Sequence, residues 1–104
     1  MNQFHRTSIL DIWLSGLKDK IGKARIVSRI RAAETGHFGD CEPVGEGVSE
    51  MRIHIGAGYR VYYTRIGDVN YLLLVGGNKS SQGHDIKKAI KLAHALRKEK
   101  YHES

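Results

Sequence analysis

Arg52, His54, Arg60 and Tyr62 are spaced so that one surface can hold all four, and Lys79 follows further along the chain. A guanidinium offers a planar fork that matches two oxygens of a phosphate. Its pKa stays above about 12, so neither arginine can act as a base. Histidine changes charge near neutral pH, which makes His54 the member of the set suited to moving a proton. Lys79 can hold a phosphate as a point charge or, if desolvated, transfer a proton. Tyr62 offers either a ring for base stacking or half of a cross-strand pair. The same residues also suit an ordinary solvated sheet face, so their types alone do not choose between chemistry and solubility.

These positions belong to a run, residues 50–79, that reads as a three-stranded antiparallel meander. Glu50-Met51-Arg52-Ile53-His54-Ile55 alternates polar and apolar, the period-two signal of a strand covered on one side. Met51, Ile53 and Ile55 then face the core and Arg52 and His54 face away. Gly56-Ala57-Gly58 makes a hairpin loop, and residues 59–66 return with Tyr59, Val61 and Tyr63 inward and Arg60, Tyr62 and Thr64 on the open face. Gly67-Asp68 reads as a type II′ turn. The third strand, residues 69–75, is apolar on both faces after Asn70 and reads as the most enclosed of the three.

The flanking segments must position this meander. Residues 3–6 fit a short edge strand. Ser8-x-x-Asp11 fits a capping box ahead of the stripe Leu10, Trp13, Leu14, Leu17, and Trp13 reads as core. A polar break at residues 19–22 precedes a second helix, residues 23–34, with Ile26, Val27, Ile30 and Ala33 inward and Gly36 as its left-handed stop. Together the two form a helical hairpin on the sheet. Residues 37–48 read as a long acidic loop. Ser80 and Ser81 offer caps for a last helix whose stripe is Ile86, Ala89, Ile90 and Ala93, and residues 100–104 read as a frayed tail.

The order is that of a single α+β domain spanning residues 1–104 with an antiparallel sheet. One cysteine, Cys41, and no zinc spacing fit a reducing cytoplasm, and no apolar run approaches a membrane span. The net charge of +6 points to an anionic partner, with nucleic acid the leading candidate. Residues 1–38 hold seven Lys/Arg against three acids, residues 79–104 hold seven against three, and residues 39–78 hold three against five. Positive charge therefore sits mainly on the helices. No glycine-rich phosphate loop, serine triad or paired-carboxylate site stands out.

The ordered set Gly45-x-Gly47-Val48-x-Glu50-x-Arg52-Ile53, Gly58-Tyr59-Arg60-Val61-Tyr62-Tyr63 and Leu72-Leu73-Leu74-x-Gly76-Gly77-x-Lys79-x-x-Gln82-x-x-Asp85-Ile86 resembles the RelE/ParE toxin superfamily. It is similar to the phage-derived, HigB-like killer proteins of addiction modules, and the likeness covers nearly the whole chain. It implies a RelE-like fold and a toxin of a type II toxin-antitoxin system, silenced by a HigA-like antitoxin with a helix-turn-helix domain. RelE-like members cut messenger RNA on the ribosome without a metal or other cofactor. ParE-like members poison DNA gyrase instead, and a relic that binds only its antitoxin is a third alternative.

By that resemblance Arg60 occupies the position of an arginine that aids activity, while Arg52 and Lys79 match basic positions on the preceding strand and after the last one. The tyrosine that RelE carries near its C-terminus has no counterpart, Tyr101 lying further along. Metal-free cleavage has the ribose 2′-hydroxyl attack its own phosphate, so a proton leaves, charge builds on phosphorus and the 5′-oxygen is protonated. Arg52, Arg60 and Lys79 suit the charge, and His54 suits a proton. Tyr62, Arg25, Arg29, Lys87 and Lys91 are the expected RNA contacts.

Overall fold

The computed structural model describes the backbone of residues 1–103 and the side chains of residues 1–98. Five strands, β1 (Gln3–Arg6), β2 (Cys41–Gly45), β3 (Val48–Ile53), β4 (Tyr59–Arg65) and β5 (Asn70–Gly77), form one sheet in the order β1-β5-β4-β3-β2. β1 runs parallel to β5, while the other neighbours are antiparallel, so the sheet is mixed rather than wholly antiparallel. The helices are α1 (Ser8–Gly16), α2 (Lys20–Glu34) and α3 (Gln82–Glu103). No helix among the described residues is long and apolar enough to cross a membrane.

The expected loop at residues 37–48 contains β2, which adds a fourth antiparallel strand to the meander. Pro43 is tolerated because β2 is an edge and needs no N–H on its outer side. This extra strand makes β4 the central strand, and β4, not β5, is the most enclosed. The β4–β5 connection is also longer than expected. Ile66 N donates to Asn70 O, and Gly67 is not among the positive-φ glycines that a type II′ turn would require.

Both faces of the sheet are covered, and alternation along each strand sorts side chains between them. Met51, Ile53, Tyr59, Val61, Tyr63 and Leu73 pack with Leu10, Leu14, Ile26, Ile30 and Ala33 of α1 and α2. Val48, Tyr62, Leu74 and Val75 pack on the other face with Ala89 and Ala93 of α3. A register shift between Tyr62 and Tyr63 puts Leu74 and Val75, consecutive residues, on the same side. Arg60, Tyr62 and Thr64 were expected on an open face. All three are buried, at 8%, 0% and 3% exposure, because α3 closes that face.

Local signals explain the helix ends. Thr7, not Ser8, caps α1, accepting from Leu10 N at 3.1 Å and donating to Leu74 O at 2.6 Å. Asp19 caps α2, so that helix begins at Lys20 and the break is shorter than expected. Tyr59 Oη donates to the same Asp19 carboxylate at 2.8 Å. The Gly22 amide and then the Tyr59 hydroxyl hold that carboxyl below its usual range. Gly36, at φ +94, ends α2 as its position requires. Trp13 is half-buried against the core, edge-on to Tyr59, and packs where Gly76 lacks a side chain. A single 3-10 turn, Lys79–Ser81, leads into α3 and is capped by Asn78 rather than by a serine. The expected frayed tail is helical backbone as far as Glu103, while its side chains and Ser104 lie outside the described residues.

Candidate functional site

Arg52 on β3, Arg60 on β4 and Gly77 on β5 lie in one row across the sheet, Arg52 paired with Arg60 and Arg60 with Gly77. Lys79 follows two residues beyond the row, its amide donating to Ala57 O at 3.3 Å. Gly58, at φ +73, sits between them. A Cβ there would lie 2.8 Å from Arg60 Nη1 and 3.3 Å from Lys79 Cβ, so a bare backbone lets the hairpin loop nest against both basic residues. Arg52, Arg60 and Lys79 are thus gathered at one end of the sheet.

Arg52 is anchored from below. Its Nε donates to Glu50 Oε1 at 2.8 Å, and among the described residues its two Nη atoms have no acceptor. The arginine side chain is 31% exposed and the glutamate 0%. Tyr62 Oη donates to Glu50 Oε2 at 3.0 Å, and Gln82 Nε2 donates to the same oxygen at 2.8 Å. Burial pushes the Glu50 carboxyl up, but the bonds from Arg52, Gln82 and Tyr62 outweigh it and hold the group below its usual range. The Glu50 hydrogen bond raises Arg52 in turn. Burial, and then Glu50, push the Tyr62 hydroxyl well above an ordinary phenol, which keeps it a donor.

Arg60 is different. Its Nη1 donates to Gly58 O at 2.6 Å, its Nε is buried without a partner, and no carboxylate among the described residues lies within ion-pairing distance. A buried guanidinium without a counter-ion is unusual, because desolvating a charge costs several kcal/mol unless it is paired. Asp85 lies over Gly77 on the same face of the sheet, but it is not within ion-pairing distance of Arg60 and instead accepts from Ser81 Oγ at 2.5 Å.

His54 lies just past β3 and is exposed, with Nε2 2.5 Å from Asp40 Oδ2. That pair orients the ring. With Nε2–H donated to the carboxylate, Nδ1 carries the free lone pair. The His54 hydrogen bond holds the Asp40 carboxyl below its usual range.

The expected RNA contacts divide. Lys87 and Lys91 are exposed and one helical turn apart on α3, and Arg25 is exposed on α2. Tyr62 cannot stack on a base, since α3 and Glu50 enclose it completely. Arg29 is not a surface contact either. Its Nη1 donates to the Arg52 carbonyl, and its Nη2 to Phe38 O at 2.9 Å and Asp40 O at 3.3 Å. Gly39, at φ +70, lies flat on that guanidinium, where a Cβ would come 2.7 Å from Nη2. Arg29 therefore fixes both the strand that carries Arg52 and the loop that carries Asp40.

Three contributors were missed. Glu50 stands in the strand pattern and in the resemblance without a role, although its i, i+2 relation to Arg52 places both on one face. Asp40 lies in the segment that reads as an acidic loop, and only the chain's return at β2 brings it to His54. Gln82 had no local signal beyond its place in the resemblance.

A small three-layer α+β domain with a cationic sheet end is thus the class that fold and site define. No protein-family model matches the chain. It is 46% identical over 94 residues to an uncharacterized protein of Haemophilus influenzae, covering 90% of this chain and 95% of that one. The chain belongs to the same family as that protein.

Proposed function

We propose that this protein is the toxin of a type II toxin-antitoxin module of the RelE/ParE superfamily, HigB-like, and that it cuts messenger RNA on the ribosome. The observation that carries this reading is Arg60, a buried guanidinium without a counter-ion, beside the free fork of Arg52 and next to Lys79. Such an arrangement favours an incoming phosphate, which supplies the charge that the fold leaves out. The order of elements, a short strand, two helices, a meander and a last helix, also suits a RelE-like fold.

In this mechanism Arg52 grips the scissile phosphate with its two Nη atoms while Arg60 lends positive charge from beneath. The 2′-oxygen forms a bond to phosphorus, the P–O5′ bond breaks, and the products are a 2′,3′-cyclic phosphate and a 5′-hydroxyl. His54, held by Asp40, carries one of the two proton transfers through Nδ1. Lys79 neutralises charge on the phosphorane. A HigA-like helix-turn-helix antitoxin covers the cationic surface, its acidic segment drawn in by complementary charge.

The test is cleavage of a defined message with and without ribosomes. In-line positioning on the ribosome can supply about 7–11 kcal/mol of a barrier, so cutting should appear in a translating extract and be weak on naked RNA. EDTA should not abolish any residual ribosome-free cutting, and fragment ends should carry a cyclic or 3′-phosphate. Brisk cutting of naked RNA or a 5′-phosphate product would overturn the mechanism. Intact messages beside broken DNA would favour gyrase as the target.

A further inference from the structure

We infer that Glu50 is a positioning residue for the cleavage reaction, a buried carboxylate that aims the Arg52 fork and ties it to the segment that carries Lys79. The inference rests on the ribonuclease reading above and adds to it a residue that never touches the substrate.

Glu50 is fully enclosed, yet each of its oxygens is used. Oε1 accepts from Arg52 Nε, and Oε2 accepts from Tyr62 on β4 and Gln82 at the start of α3. An arginine held at Nε still has its end-on edge, one N–H from each Nη, free as a fork for a second anion. Gln82 directly follows the turn Lys79–Ser81, so one carboxylate joins β3, β4 and the α3 junction. Without it, a partly exposed arginine side chain has several rotamers to sample and the junction loses a cross-tie.

Glu50 also places a negative charge behind the cationic site, which weakens general attraction for RNA. A residue retained only to bind anions would not be an acid. This yields a signature that a merely structural role lacks. Removing the charge should leave affinity equal or tighter while turnover falls, because the fork no longer meets the phosphorane in the required geometry.

The full chain and its Glu50→Gln variant are compared by single-turnover cleavage on programmed ribosomes, with ribosome affinity measured separately. A displacement of this kind is expected to slow the cutting step by about thirty- to a hundredfold with no loss of affinity. In an Arg52→Ala background, adding Glu50→Gln should slow cutting by clearly less than the single Glu50→Gln change does, since Glu50 acts mainly through Arg52, and equal slowing in both backgrounds overturns the inference. Cutting by a folded Glu50→Gln within about threefold of wild type, or a parallel fall in rate and affinity, overturns the inference while the ribonuclease reading stands. If Glu50→Gln does not fold, Gln82→Met decides. It removes one donor from a half-buried site, and an unchanged cutting rate overturns the inference. A wild-type chain that cuts nothing on ribosomes overturns the ribonuclease reading and this inference together.

Discussion

Arg52 and Arg60 face each other across β3 and β4, yet their guanidiniums are held in opposite ways. Arg52 is anchored to a carboxylate and partly exposed, whereas Arg60 is nearly enclosed and bonded to a backbone carbonyl. One is a directed fork and the other a fixed charge. Substituting them should therefore have different consequences.

Arg52→Ala should reduce cleavage strongly with a modest loss of stability, although it leaves Glu50 short of one donor. Arg60→Ala should reduce cleavage and need not lower stability, because it removes a buried charge that has no counter-ion. Parallel urea unfolding and cleavage assays separate the two. Strong destabilisation by Arg60→Ala would show that its charge is balanced within the fold.

Arg29→Met should destabilise the protein by about 2–4 kcal/mol, since hydrogen bonds from a charged donor to three carbonyls are lost. Arg29→Lys should recover little, because an ammonium cannot reproduce the fork. Arg25→Ala, at an exposed position, should stay within about 0.5 kcal/mol of wild type. Equal effects from Arg25 and Arg29 in chemical unfolding would remove the clamp role.

The stability advantage of the wild type over Glu50→Gln should depend on pH. Glu50 has a folded-state pKa below its ordinary value of 4.5, so its ionised form contributes stability fully above that value. The contribution is lost as pH falls from about 4.5 through the lowered folded-state pKa. Unfolding curves at pH 7 and at successively lower pH check this. An advantage that grows on acidification would contradict the network.

Asp40→Asn should slow cleavage by about tenfold or more if His54 transfers a proton, because the carboxylate fixes the ring tautomer. Stability should change little, as both side chains are exposed at the surface. Unchanged single-turnover rates would take His54 out of the chemistry.

Lys87→Ala together with Lys91→Ala should weaken ribosome association and lower the slope of log affinity against log salt by about two. Cutting at saturating ribosome should persist. A slope identical to wild type would leave α3's outer face without a role in RNA contact.

The sequence alone determined what local chemistry and period can determine. The stripe Leu10, Trp13, Leu14 marked α1, Gly36 marked the end of α2, and strict alternation put Met51 and Ile53 inward and Arg52 away from them. Those assignments depend on residues a few positions apart, where backbone geometry decides which face a side chain takes. Only the tertiary structure decided what lies over each face. The meander's second face looked open because nothing in Arg60-x-Tyr62-x-Thr64 announces a covering helix, and α3 turned those residues into interior ones. Arg29 and Tyr62 changed from contacts to supports for the same reason: a polar side chain reads identically whether its partner is water or a distant carbonyl. Glu50 beside Gln82 and His54 beside Asp40 join residues 32 and 14 positions apart, and no local pattern records distances closed by folding.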